Sequence, residues 1–322
     1  MPLTMGNNAL ITPAHLPTGV NHAQDHMQEP IVDFVNKNQQ IPTLSPSPQQ
    51  SPSQLPSPVN PKSLGEFLVD YDSDQASYLI NGFTHGFRLG CTSAPSSCVP
   101  QNHKSTLDHP DIIEDYIQTG LNKGRIAGPF SNKPFEQFVV SPLGLVPKGS
   151  TGKFRVIHDL SFPKNQSVNS NIPRENSAVQ YDSIDQVVDL VQKFGRECLM
   201  AKTDIEDAFR IIPIHPADYY LLGFTWECQY YYDKCLPMGA SSSCQIFESF
   251  SSALQWVMEN VFNASGMSHI LDDFFFVGPP NSITCRNDLA SFLFLCKKNW
   301  GANKNGKNSG TYDQHCHLWY RS

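Results

Sequence analysis

The stretch His269-Ile-Leu-Asp272-Asp273-Phe-Phe-Phe-Val277 sets two adjacent carboxylates between runs of large apolar side chains. Unpaired charge among apolar groups is costly, so an acid pair is not placed inside a strand for stability. Aspartate does tolerate turn geometry, and the pair suits the tip of a tight hairpin over residues 268–277. Upstream, Leu199-Met-Ala-Lys-Thr-Asp204-Ile-Glu-Asp-Ala-Phe209 has a similar texture, an apolar strand running into Asp204. Either feature alone reads as a polar turn or a solvated strand end. Together and in this order they offer acids from separate strands. Two-metal nucleotidyl transfer needs such an arrangement, with oxygen ligands converging on two cations roughly 3.5–4 Å apart. Carboxylates suit a hard cation such as Mg²⁺, and no histidine or cysteine is required.

Outward from these acids, secondary structure alternates irregularly. Residues 112–121 carry Ile112, Ile113, Tyr116, Ile117 and Leu121 at helical spacing, with Asp108 as a candidate N-cap and Gly124 as a stop. Residues 78–90 read as a short helix and a turn. Phe138–Val140 and Leu143–Val146 read as one interrupted strand, with Phe154–Asp159 as its hairpin partner across Lys148-Gly-Ser-Thr-Gly152. Helices are expected over 184–194, 242–261 and 286–298. Strands are expected at 198–203 and in hairpins at 223–235 and 268–277. The pattern predicts an α+β fold with an antiparallel sheet.

Composition narrows the field less. The chain has 322 residues, 39% hydrophobic and 16% charged, with 25 prolines and a net charge of -7. Seven prolines and five serines fall between Ile41 and Pro61, a stretch that cannot bury enough apolar surface to offset ordering entropy. Residues 1–63 are therefore expected to be a disordered Pro/Ser-rich spacer, and 64–104 a helical lead-in. An acidic whole does not suggest a nucleic-acid binder, but residues 123–174 hold eight Lys or Arg against Glu136 and Asp159, a local net of +6. The nine cysteines are scattered, and Cys91, Cys98 and His103 fall one ligand short of a zinc site. No run is long enough for a membrane span, and the N-terminus lacks a signal-peptide layout. An intracellular setting, cytoplasm or nucleus, follows as the expectation.

In order and spacing these motifs resemble the reverse transcriptase family over residues 105–298. Lys202-Thr-Asp204-Ile-Glu-Asp-Ala-Phe209 resembles its first palm motif, Leu236-Pro-Met-Gly239 with Ser243 and Ile246-Phe247 its second, and Ile270-Leu-Asp272-Asp273 its third. Lys148, Lys153, Phe154 and Arg155 resemble the fingers hairpin that grips the triphosphate. The wording around the motifs is most similar to retrotransposons of the DIRS type. The resemblance implies a fingers and palm polymerase fold. It implies two Mg²⁺ ions, replaceable by Mn²⁺, held by Asp204, Asp272, Asp273 and the Ile205 carbonyl. It also implies a primed RNA or DNA template and dNTPs as partners. Lys148, Lys153, Arg155, Asp207, Phe209, Met238 and Gly239 would form the nucleotide site, with Phe209 excluding a 2′-hydroxyl by bulk. Three positions depart from the family pattern: Ile270 replaces an aromatic, Met238 a polar residue or Phe, and Ser161 a second arginine.

After Lys298 the resemblance stops. Residues 299–322 lack periodicity, yet one codon string for them, read from its second base, encodes IGVPIKMEKTVGPTTNIAIYGIEV, which is similar to the family's continuation. The expectation is a frameshift near codon 299 and a product without thumb, RNase H or recombinase. The alternative reading is therefore an inactive truncated relic that at most binds nucleic acid. A third reading makes the Pro/Ser segment a docking module; it predicts that residues 41–61 alone bind a partner.

Overall fold

The computed structural model describes residues 55–93, 95, 98–149 and 152–299; the expected spacer up to residue 54 and the tail from residue 300 lie outside the described residues. The elements run α1 (Pro61–Phe67), α2 (Ser73–His85), α3 (Lys104–Asp108), α4 (Pro110–Asn122), β1 (Ile126–Phe130), β2 (Leu143–Pro147), β3 (Phe154–His158), α5 (Ile184–Phe194), β4 (Leu199–Asp204), β5 (Gly223–Trp226), β6 (Gln229–Asp233), α6 (Ser243–Asn260), β7 (Met267–Ile270), β8 (Asp273–Gly278) and α7 (Thr284–Asn299). All pairing within the sheets is antiparallel, in the orders β4-β8-β7, β1-β6-β5 and β2-β3. The mixed, antiparallel α+β architecture expected from the sequence is present.

The sheet that carries the acids is fixed by alternation along β8. Phe274 and Phe276 are fully buried on one face, their rings 4.4 and 5.6 Å from that of Phe292 on α7. Each such ring contributes about 1.5–3 kcal/mol by leaving water. A one-residue slip would turn both outward, so the register that places Asp273 at the start of the strand is strongly held. α6 closes the same core with Phe247 and Phe250. A second, smaller core joins Ile113 and Ile117 of α4 to Leu143, Leu145, Phe224 and Tyr231 beneath the other two sheets.

Local chemistry accounts for several element ends. Ser183 and Gln186 form a reciprocal capping box that starts α5. Gly124 adopts φ of 67° and donates to the Leu121 carbonyl, closing α4. The boundary expected at residue 64 is corrected: Leu64 is the buried residue of a helix that already begins at Pro61, capped by the Asn60 side chain, and Val59 before it is buried too. The Asn60 amide in turn donates to the Asn299 carbonyl at 2.6 Å, and Ser63 Oγ to that of Lys298 at 3.3 Å.

Three further expectations are corrected. Asp108 does not cap α4; it ends the short α3, and the capping position falls to His109 with Pro110 as the first helical residue. The helix expected over 78–90 lies earlier, at Ser73–His85, because Asp72 caps it. Phe138–Val140 does not continue β2. Val139 donates to the Tyr220 carbonyl and accepts from Gly223, so this segment pairs with the chain leading into β5. The strand β1 was not foreseen, because Gly128-Pro129 interrupts it; proline is tolerated at this irregular sheet edge. Among the described residues, no helix is long and apolar enough to cross a membrane, and the cysteines are free thiols.

Candidate active site

β4 and β8 run side by side with Asp204 directly opposite Asp273. β7 and β8 are joined by a two-residue turn, Leu271-Asp272, with Ile270 opposite Asp273. The Ile205 amide donates to the Asp272 carbonyl at 3.0 Å, tying the end of β4 to the turn. Backbone pairing thus brings all four sequence-predicted metal-binding positions to one edge, Asp204 beside Asp273 and Ile205 beside Asp272. The Ile205 carbonyl accepts from Ala208 at 3.2 Å and keeps a second lone pair.

Electrostatics reflects that crowding. Burial pushes the Asp272 carboxyl above the usual carboxylate range, and the charges of Asp273 and Asp204 push it further, against partial offsets from a backbone hydrogen bond and from Lys202. Asp273 is exposed and pairs with Lys202, Nζ to Oδ1 at 3.0 Å. Among the described residues, no three His, Cys, Asp or Glu side chains are gathered as a ready ligand cage. The donor set nonetheless fits a hard divalent cation: all its atoms are oxygens, and their mutual repulsion is what a bound cation would relieve.

The expected nucleotide-site residues separate into two groups. Lys148, Lys153 and Arg155 are exposed on the β2–β3 hairpin, whose neck is closed by Lys148 donating to the Lys153 carbonyl at 2.7 Å. Met238 is 51% exposed. The others have structural partners. Phe209 is buried in a 3-10 turn with its ring 5.0 Å from that of Phe247. Asp207, in the left-handed region at φ 57°, accepts from Lys123 Nζ at 2.7 Å and Arg125 Nη1 at 2.6 Å. Burial alone would raise its carboxyl, but these two cations outweigh it and hold the group below the usual range.

Gly239 lies on the backbone of β3. A Cβ there would sit 2.0 Å from the His158 carbonyl oxygen, which cannot swing aside. Asn169 secures the contact, donating to the Gly239 carbonyl at 2.8 Å and accepting from Ser241. Gly239→Ala should therefore cost about 1–3 kcal/mol, the usual penalty of overpacking, read as a lower midpoint in thermal or denaturant unfolding.

Sequence reading missed a buried ion cluster beside this contact. Asp233, at the end of β6 and fully buried, faces Arg210 Nη2 at 2.5 Å and His158 Nδ1 at 3.4 Å. Burial would raise the Asp233 carboxyl, but Arg210 and His158 hold it low; Asp233 keeps the Arg210 guanidinium charged despite its burial. It also missed Glu248 and His269, buried against the acidic turn. The available signal was a charged residue in an otherwise apolar stretch, at Glu248 within α6 and at Asp233 after three tyrosines.

No family model and no curated protein sequence matches the chain. Solved structures do. A foamy viral protease-reverse transcriptase, solved in complex with dsDNA, matches with a TM-score of 0.51 over 78% of this chain, at 18% identity. The fold is reverse-transcriptase-like. A foamy viral protease-reverse transcriptase in complex with RNA/DNA hybrid covers 80% of this chain at 20% identity and TM-score 0.49. At such identities the likeness is one of fold. The chain covers 52% of the first of these structures and 34% of the second, so the reverse-transcriptase-like fold spans about half the length of the first.

Proposed function

We propose that the chain is the fingers and palm part of a retrotransposon RNA-directed DNA polymerase, which transfers nucleotidyl groups from dNTPs to a primer 3′-hydroxyl on an RNA or DNA template, releasing pyrophosphate. The motif wording favours an element of the DIRS type. The observation that carries the reading is the meeting of Asp204, Asp272 and Asp273 at one end of the β4-β8-β7 sheet. Asp204 and Asp272, supported by Asp273 and the Ile205 carbonyl, would hold two Mg²⁺ ions, with Mn²⁺ able to substitute. When bound, such ions lower the pKa of the attacking hydroxyl and stabilise the leaving pyrophosphate.

The chain's own side chains position the reactants. Lys148, Lys153 and Arg155 offer exposed cations for phosphate oxygens, the arginine as a planar fork and the lysines as point charges. Phe209, braced on Phe247, forms the floor of the sugar site, where bulk disfavours a 2′-hydroxyl. Asp207 orders Lys123 and Arg125 beside that floor. Met238 and Gly239 lie where the template–nucleotide pair would rest.

Primer extension by the purified chain on an RNA template, with Mg²⁺ or Mn²⁺ and four dNTPs, tests this. Template-directed extension is expected; none with either ion would leave the relic reading. The pH dependence has a defined sign. Asp272 binds its proton more tightly than an ordinary aspartate, so protons compete with the metal already above the usual carboxylate range. The Mg²⁺ concentration needed for half-maximal extension should therefore rise on acidification, and more steeply than in a variant lacking the Asp273 charge.

A further inference from the structure

Leu271 opens the acidic turn with φ of 55°, in the left-handed region that a side chain bearing a Cβ enters only at a conformational cost. Such strain persists where the surroundings over-determine the backbone. Here the surrounding group is Glu248 of α6, 8% exposed. Its Oε2 accepts the Leu271 N–H at 3.1 Å. Its Oε1 lies 3.1 Å from His269 Nε2, a close contact that is not aligned as a hydrogen bond. The other ring nitrogen of His269 is 2.5 Å from Gln255 Oε1, and the ring stacks on Phe274 with centroids 5.4 Å apart. Glu248 and Gln255 are seven residues apart, two turns of one helix face. α6 therefore grips the β7–β8 hairpin at two points, one of them the amide next to Asp272.

Packing alone does not call for an acid at position 248. Its neighbours Phe247, Phe250 and Ser251 are fully buried, and an apolar residue would fill the place without the cost of desolvating a carboxylate. Among the described residues, the carboxylate's close polar neighbours include the turn amide and His269. We propose that Glu248 is a positioning residue: it accepts the Leu271 N–H to hold the strained turn, and so sets where the Asp272 carboxylate stands relative to Asp204. His269, hydrogen-bonded to Gln255, packs against the Glu248 carboxylate. The part of this inference that concerns metal binding rests on the polymerase reading; the part that concerns the turn does not.

The test compares Glu248→Met, which fills a similar volume without an acceptor, with Glu248→Gln, which keeps an oxygen for the Leu271 N–H. Amide hydrogen exchange is read by mass spectrometry on peptides covering residues 266–276, with the β5–β6 hairpin as internal reference. Mn²⁺ affinity is read by electron paramagnetic resonance. In Glu248→Met, exchange in the acidic hairpin should rise about tenfold or more relative to the reference, the scale set by losing a hydrogen bond to a charged acceptor. Mn²⁺ affinity should fall by a similar factor, and Glu248→Gln should restore most of both. Unchanged exchange at 266–276 in Glu248→Met, a rise shared equally by the reference hairpin, or equal effects of Met and Gln would each overturn the proposal. If the unaltered chain binds no Mn²⁺, the polymerase reading falls, while the exchange comparison still decides whether Glu248 holds the turn.

Discussion

Asp272→Asn should lower the rate of primer extension by roughly 10²–10³-fold or more, the range seen when one preorganised electrostatic partner of a transition state is removed. The amide is nearly isosteric, so the turn stays. What is lost is the anionic oxygen that a hard cation requires. The same substitution should not lower stability. The folded state holds the Asp272 proton more tightly than the unfolded chain does, because burial and the charges of Asp273 and Asp204 disfavour ionisation. A carboxyl with a raised folded pKa gives its stabilisation below the unfolded pKa and loses it as pH rises toward the folded value, so at neutral pH the ionised group is a net burden. A neutral side chain removes that burden. The expected pair of results is thus near-complete loss of extension with an unchanged or higher unfolding midpoint. Loss of activity together with a lower midpoint would instead place Asp272 among residues that merely hold the fold.

Asp233→Ala should have the opposite profile, costing about 3–5 kcal/mol of stability because it strands a buried guanidinium without its counter-charge. Arg210 Nη2 and His158 Nδ1 both face this carboxylate, and the Asp233 and Arg210 side chains are 1% and 17% exposed. A double variant, Arg210→Met with Asp233→Leu, should recover much of the loss, since replacing a whole buried pair by apolar groups is often nearly neutral. Equilibrium urea unfolding of the single and double variants measures this directly. The pH dependence follows from the direction of the Asp233 shift. Its folded pKa lies below the ordinary value, so its contribution is fully present above an unfolded pKa of about 3.9 and is lost as pH falls through the lower folded value. Asp233→Ala should accordingly flatten the acid limb of the stability profile. Equal acid sensitivity in both proteins would mean that the cluster contributes nothing to that limb.

The contrast between these two aspartates explains what the sequence made legible. Asp272-Asp273 stands out because turn chemistry is local: acids between apolar runs, over a two-residue span, have few uses besides a hairpin tip. Gly124 after an apolar stripe is legible for the same reason. Asp233 follows three tyrosines and looks like a strand end; its partners Arg210 and His158 lie 23 and 75 positions away in the chain, and no spacing rule connects them. Glu248 meets Leu271 across a similar gap. Phe138–Val140 misled because its apolar character was real, while its hydrogen-bonding partner, the segment before β5, depends on the tertiary arrangement. Local chemistry revealed the acids; the groups that aim and brace them needed the fold.

The backbone bond between Asn60 and Asn299 joins the first and last helices of the described core. Their proximity makes this core a candidate for circular permutation. A short linker from residue 299 to residue 60, with new termini opened at the exposed Cys228 bend between β5 and β6, would preserve every strand pairing while reordering the gene. Such a rearrangement would attach a reporter or tether at that bend, on a different sheet from the one that carries the acids.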